Sequence, residues 1–484
     1  MTISEIESLI LEQKIIEKLF TSPKKIFNKG SFKSYKEFPL DWMDDLNIAN
    51  FTGIEKSFSS YKKYIFIGMG GAISSAKIAS FYFPKKIFYL DNFENERIKF
   101  IQKISKEEES AIIVCSKSGK TIETFILNSI LGEKNHEDIY FISDDYDSRF
   151  DKNNTFITPK NIPGRFGLCT YFGIIPFILG GVNVKNIINQ INLANKECRI
   201  ISKNNPAIPK IAFLFSQFDQ GLKILGINSE KNNYVKEWIE QLISESTGKN
   251  NSGLYPLMNV KKPFPYLNFS NDTNILNSDK LEVKLSGPEN LFYQLHIWLY
   301  VITIFGSLLK IQPFDQPNVE QTKINTQNML SSNEKNYSKY KVYSSDKISK
   351  IIRKKNPGKF KIINFCIFGL NKDVDFSSQF EILKHHLSKK NIFLSINVAP
   401  QYLHSTGQML KGSEHQITNI LINLHGNVDL NIPNSLYTLN TFVKTQAIAD
   451  YLALKKKKRK VYFVETNLEE LKNQFKILNN DTTF

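Results

Sequence analysis

Cysteine is scarce in this sequence: four residues in 484, at positions 115, 169, 198 and 366, with no CxxC pair. That spacing indicates neither a disulfide framework nor a zinc site, and it fits a reducing, cytoplasmic setting. Long apolar runs are lacking too. No stretch approaches the ~18 apolar residues that a membrane-spanning helix needs. The best run, "FGIIPFILGGV" from Phe172 to Val182, is broken by Pro176 and Gly180. The opening "MTISEIESLI" carries early acids where a secretory leader has a basic start and an apolar core. We therefore expect no signal peptide and no membrane association.

Acidic residues are the minority, 47 against 63 Lys and Arg, for a net charge of +16. Such an excess raises the question of nucleic acid. Lysine is scattered, however, among abundant Asn and Ile. The densest run, "KKKKRK" from Lys455 to Lys460, stands between a helix-like stretch and the strand-like "VYFVE". We read it as a solvated loop and expect no nucleic-acid partner. The general positive field would still draw anionic metabolites.

What is present is a recurring strand–helix alternation. After a helical, then irregular, segment over 1–55, "YIFIGMG", "KKIFYL", "SAIIVCSKS" and "DIYFISD" read as strands. "AISSAKIASFYF" and "TIETFILNSILGE" read as helices between them. Short apolar runs separated by helical periods predict a parallel sheet covered on both faces. We place this first α/β domain at 56–195. A second, at 196–345, has "IAFLFS" and "KLEVKLS" as strands, and "YVKEWIEQLISESTG" and the mostly apolar "GPENLFYQLHIWLYVITIFGSLL" as helices. The polar Asn333–Lys347 stretch reads as a linker. A C-terminal α/β region, 346–484, has "KIINFCIFGL", "IFLSINV", "ITNILINL" and "KVYFVE" as strands. The fold class is α/β, with two doubly wound parallel-sheet domains and a C-terminal α/β extension.

Two strand exits carry chemistry. "YIFIGMGG" ends at Gly68-Met69-Gly70-Gly71, where glycines let backbone N–H groups approach an anion at the next helix start. A dinucleotide fingerprint would need glycine where Ile73 stands, so no nicotinamide cofactor is inferred. The second exit, "VCSKSGKTIETF", sets Ser116, Ser118 and Thr121 around Lys117, Gly119 and Lys120 before a helix. Helix capping alone would use one hydroxyl. Three hydroxyls, exposed amides and a helix N-terminus favour a dianionic phosphate.

"IGMGG", "SKSGKTIET", "IPGRFG", "ESTGK" and "PFDQPNVEQTK" occur in that order. The set resembles the successive motifs of the glucose-6-phosphate isomerase family, whose members have paired sugar-isomerase (SIS) domains. The likeness covers roughly residues 60–325. "YLHSTGQMLKG" and "YTLNTFVKTQAIADYLAL" further resemble the isomerase half of bacterial transaldolase–isomerase fusions. The resemblance implies reversible isomerisation of glucose 6-phosphate and fructose 6-phosphate through a cis-enediolate, in glycolysis and gluconeogenesis. It implies no cofactor and no metal, a hexose 6-phosphate ligand, and a homodimer.

Residue by residue, the resemblance assigns the substrate phosphate to Ser116, Lys117, Ser118 and Thr121, and Gly70 and Gly71 are expected to bind substrate beside them. Ala72 stands where the family has Ser, with Ser74 or Ser75 as alternative hydroxyls. Arg165 would face the enediolate, since a guanidinium stays charged and stabilises an oxyanion. Glu245, in the last turn of a predicted helix, would carry the proton between C2 and C1. There the helix dipole raises a carboxylate's proton affinity. Gln316 and Lys323, seven positions apart, would contact the sugar and assist ring opening. Two helical turns would put them on one side, with Pro317 complicating the first. For the ring-opening histidine, His296 lies in an apolar helix and reads as a core residue, whereas His404 in "YLHSTGQ" is loop-like and preferred. Glu237 and Glu240 read as surface positions. Two other readings remain open: a non-catalytic SIS-type sugar-phosphate regulator, and an isomerase that also accepts mannose 6-phosphate.

Overall fold

The computed structural model describes residues 1–27, 38–132, 138–229, 233–261, 263–270, 274–331, 340–354, 360–370, 374–414, 417–425 and 429–481. The chain forms two compact units. The first comprises Met1–Asp91, Ile101–Gln316 and His404–Met409; the second comprises Asn92–Phe100, Pro317–Leu403 and Leu410–Phe484.

The first unit holds two five-stranded sheets. One contains β1 (Lys63–Gly68), β2 (Ile87–Leu90), β3 (Ser110–Cys115), β4 (Ile139–Ser143) and β5 (Thr155–Ile157), in the order β2-β1-β3-β4-β5. Every pairing in it is parallel, with Gly68 opposite Cys115 at the end of the central pair. β3 is buried along its whole length. Its unbroken apolar reading therefore reflects a sheet covered on both faces.

The other sheet contains β6 (Ile224–Ser229), β7 (Tyr255–Met258), β8 (Tyr266–Ser270), β9 (Ile275–Leu276) and β10 (Lys280–Lys284), in the order β7-β6-β8-β10-β9. Only the β9–β10 edge pairing is antiparallel. The expected strand "IAFLFS" is instead part of the helix Ile208–Asp219, whose first turn contains a proline. A short apolar run does not distinguish strand from buried helix. Here Pro209 suits a helix start, and the turns that follow bury Ile211, Ala212, Phe213 and Leu214.

One helix, Pro288–Leu308, is by length and composition apolar enough to cross a membrane, contrary to the expectation that no run reached that length. Its side chains from Leu295 to Phe305 lie in the core of this unit, and it packs on the helices Val184–Cys198 and Ile208–Asp219. His296 sits within it, fully buried, 2.7 Å from Asn195 Oδ1 and edge-on to Trp42. Burial pushes its imidazole down to about 3, consistent with a core histidine.

The second unit is built on one parallel sheet of β11 (Val342–Tyr343), β12 (Lys361–Phe368), β13 (Ile392–Val398), β14 (Ile417–Leu424) and β15 (Val461–Thr466), in the order β11-β15-β14-β12-β13. β12 and β14 are buried throughout, and Phe365, Ile367, Ile420 and Val464 centre its core. Part of the expected linker, 333–339, lies outside the described residues. The remainder carries β11 and the start of the helix Asp346–Arg353, so it is structured.

Candidate active site

The helix Asn233–Thr247 repeats Val235, Trp238, Ile239, Leu242 and Ile243 at three- and four-residue spacing, which turns that stripe into the core. The same rotation carries Gln241 and Glu245 inward, one turn apart. Gln241 Nε2 donates to Glu245 Oε1 at 3.1 Å. Glu245 is therefore a buried residue of a packed turn, with only 4% of its surface exposed.

Arg165 reaches Glu245 from a 3-10 turn, Gly164–Cys169. Its Nη1 lies 3.0 Å from Glu245 Oε2, and its Nε donates to Ser246 Oγ at 2.8 Å. Nη2 donates to the carbonyls of Pro313 and Asp315. These bonds fix the guanidinium plane beside the carboxylate. Burial raises the Glu245 proton affinity above that of an ordinary carboxylate. The Arg165 charge and the Gln241 hydrogen bond act in the opposite direction without cancelling it.

The glycine-rich strand exit is packed against this pair. A Cβ on Gly71 would stand 2.3 Å from the Gly164 carbonyl carbon and 2.4 Å from Arg165 N. Gly70 has φ +56°, and a Cβ there would meet His404 O at 2.8 Å. The glycines thus permit backbone-to-backbone contact between the "GMGG" turn, the Arg165 turn and the His404 segment. Ala72 is buried. Ser74, the first residue of the helix Ser74–Tyr82, donates to Gly70 O at 3.0 Å and Gln241 Oε1 at 3.1 Å.

At the other strand exit, Gly119 turns the chain with φ +63°, and its N–H donates to Ser116 O. Ser116 Oγ is buried and has no hydrogen-bond partner among the described residues. Ser118 is exposed, and Thr121 is the N-cap of the helix Ile122–Leu131, making no side-chain capping bond. The Lys117 ammonium is turned aside, 2.8 Å from Asp144 and 2.9 Å from Lys160 O. In the first turn of the helix, Glu123 Oε1 lies 3.2 Å from His404 Nε2.

Gln316 is half-buried and precedes the helix Glu320–Ser331, in the second unit, on which Lys323 is exposed. The two do not share a helix face, because the chain at Pro317 has not yet entered the helix. Glu237 and Glu240 are not plain surface positions. Glu237 pairs with Lys77 at 2.7 Å, and burial, with Glu237 nearby, pushes the half-buried Glu240 up to about 8.

Several neighbours of the site had no separate signal in the sequence. Gln241, Ser246, Glu123 and the Lys249–Asp315 pair line up only in three dimensions. Lys249 Nζ lies 2.6 Å from Asp315 Oδ1 and donates to Gln312 O at 2.8 Å. Burial pushes that ammonium down to about 7, against the pull of Asp315.

No protein-family model matches the chain. Its fold is that of known structures. It aligns with a glucose-6-phosphate isomerase from Chlamydia trachomatis at TM-score 0.56 and 14% identity, covering 69% of this chain and 87% of that one. A hypothetical protein from Thermus thermophilus aligns at TM-score 0.53 and 16% identity, covering 68% and 97%. In sequence, the chain is similar to a glucose-6-phosphate isomerase of Methanocaldococcus jannaschii, 31% identical over 227 residues, with 42% of this chain and 55% of the relative covered. It is also similar to one of Fusobacterium nucleatum, 23% identical over 381 residues, with 59% and 85% covered. The match thus spans little more than half the length of the first relative.

Proposed function

We propose that this protein is an aldose–ketose isomerase acting on hexose 6-phosphates and, in particular, a glucose-6-phosphate isomerase. The observation that carries the reading is the buried Arg165–Glu245 pair, 3.0 Å apart, beside the glycine-lined exit of β1. Relatives bearing that enzyme's name support it. Burial raises the carboxylate's proton affinity, as a general base requires, while a guanidinium that never deprotonates supplies charge without competing for the proton.

In this mechanism Glu245 takes the proton from C2 of the open-chain aldose. The C2–H electron pair becomes the C1=C2 bond of a cis-enediolate, and the negative charge on O1 faces Arg165. The O2 hydroxyl proton passes to O1, which becomes the C1 hydroxyl, as Glu245 returns its proton to C1; O2 becomes the ketone oxygen, and no electron leaves the substrate. Gly70, Gly71, Ser116, Lys117, Ser118 and Thr121 would hold the phosphate. Gln316 would contact the sugar, and His404 with Lys323 would open the ring. Because the Lys117 ammonium is paired with Asp144, its contribution to the phosphate would come through its backbone N–H. We read the chain as a cytoplasmic homodimer related to the isomerase half of transaldolase–isomerase fusions.

The test is a coupled assay in which fructose 6-phosphate is supplied and glucose 6-phosphate is oxidised by its dehydrogenase. Turnover that disappears in Glu245→Gln supports the reading. Tight phosphate-ester binding by folded wild-type protein with no turnover overturns it.

A further inference from the structure

The chain leaving β4 holds the turn that precedes the helix Ile122–Leu131, and it does so through two carbonyls. Asp144 N donates to Lys117 O at 2.9 Å, and Ser143 Oγ donates to the same oxygen at 3.0 Å. Further along, Arg149 Nη2 donates to Gly119 O at 3.0 Å. All of these residues belong to the first compact unit.

Each carbonyl shares a planar trans peptide with the amide of the next residue, and in such a peptide C=O and N–H point opposite ways. Holding Lys117 O and Gly119 O toward the β4 exit therefore turns the N–H groups of Ser118 and Lys120 away from it. Neither amide has a hydrogen-bond partner among the described residues. The buried Ser116 Oγ, at the start of the same turn, has none there either. Oriented, unpaired backbone donors beside an unpaired hydroxyl suit an oxyanion.

Arg149 is itself held from two sides. Its guanidinium lies over the Phe125 ring, 3.7 Å from the centroid. Its Nε donates to Asp147 Oδ1 at 2.9 Å, and its Nη2 also pairs with Asp147 Oδ2. The Asp147 carboxylate offsets the guanidinium charge, so the pair adds little net field to the turn. What it supplies is a donor at a fixed point, set by a planar fork and a stacked ring that a lysine does not reproduce.

We propose that Arg149 is a positioning residue of the phosphate subsite, locking the Gly119–Lys120 peptide so that the Lys120 amide is presented to the substrate's phosphate, an inference that rests on the isomerase reading above. Because the phosphate is remote from the reacting carbons, loss of this order weakens binding more than it slows chemistry.

The probe is inorganic phosphate, as a competitive inhibitor in the fructose 6-phosphate assay. Arg149→Lys keeps the charge opposite Asp147 and loses the fork and the stacking. The double variant Asp147→Asn/Arg149→Gln removes both charges and leaves the net charge unchanged. In each, the phosphate inhibition constant and the KM are expected to rise together by roughly three- to tenfold, with kcat within about twofold. If Arg149→Lys does not fold, the double variant decides. A wild-type phosphate inhibition constant in either folded variant would overturn the assignment while leaving the isomerase reading intact. An inactive wild type would overturn both.

Discussion

Arg165 and Glu245 meet through a 3.0 Å contact with both side chains almost wholly removed from solvent. The pair is poised because its two members respond differently to burial: the guanidinium keeps its charge, while the carboxylate gains proton affinity. Glu245→Gln preserves the side chain's volume and removes the base. Isomerisation is expected to fall by roughly 10²–10⁴-fold, with phosphate-ester binding retained. A general base acts when ionised, so a raised proton affinity moves the acid limb of the wild-type kcat–pH profile above 4.5, the ordinary glutamate value. A limb at or below that value would show that Glu245 is not the base.

Lys249 gives a pH signature in stability. Its ammonium is pushed from 10.5 down to about 7 by burial. Between those values the folded chain binds fewer protons there than the unfolded chain. The group's contribution to stability is therefore full above about 10.5 and lost as pH falls through about 7. Lys249→Met removes it. Denaturant melts at increasing pH over this window should shift in favour of wild type relative to the variant, by up to about 1.4 kcal/mol per pH unit. Parallel stability curves would show that Lys249 titrates normally.

The legibility of these features in the sequence followed their range. The parallel sheets showed because β1, β3, β12 and β14 are covered on both faces, which writes an apolar run into each. "IAFLFS" misled because five consecutive apolar residues carry no period of their own, and the proline that marks the helix start lies outside them. Glu245 and Arg165 stood out through local motifs. Their mutual contact, and the roles of Gln241 and Glu123, depend on residues 80 positions or more apart in chain being folded together. The Lys117–Asp144 pairing was equally hidden, because a lysine beside a phosphate-type loop looks the same whichever way its ammonium turns.

Gly71 tests whether close backbone approach sets the catalytic geometry. An added methyl would fall 2.3–2.4 Å from Gly164 and Arg165 backbone atoms, a distance neither backbone can yield without moving. Gly71→Ala is therefore expected to displace the Arg165 turn and lower kcat by on the order of 10²-fold, in a protein that still unfolds cooperatively. Gly132, where a methyl would meet nothing within 4 Å, is the control for backbone strain alone, since its φ is +92°. If Gly71→Ala turns over as wild type does, the contact has no part in placing Arg165.

Ser116 separates folding from binding. Its hydroxyl is buried in the mouth of β3 without a partner among the described residues, an arrangement that costs folding free energy. Ser116→Ala should therefore leave thermal stability unchanged or slightly raised. If the hydroxyl instead serves the substrate's phosphate, the same change should weaken inorganic phosphate as a competitive inhibitor and raise KM roughly tenfold, equivalent to about 1.4 kcal/mol. Loss of stability with unaltered phosphate inhibition would mark Ser116 as a structural hydroxyl and remove it from the phosphate site. The opposite pattern, binding lost and stability kept, is difficult to obtain from a residue whose role is packing, because a packing residue contributes to the fold before any ligand arrives.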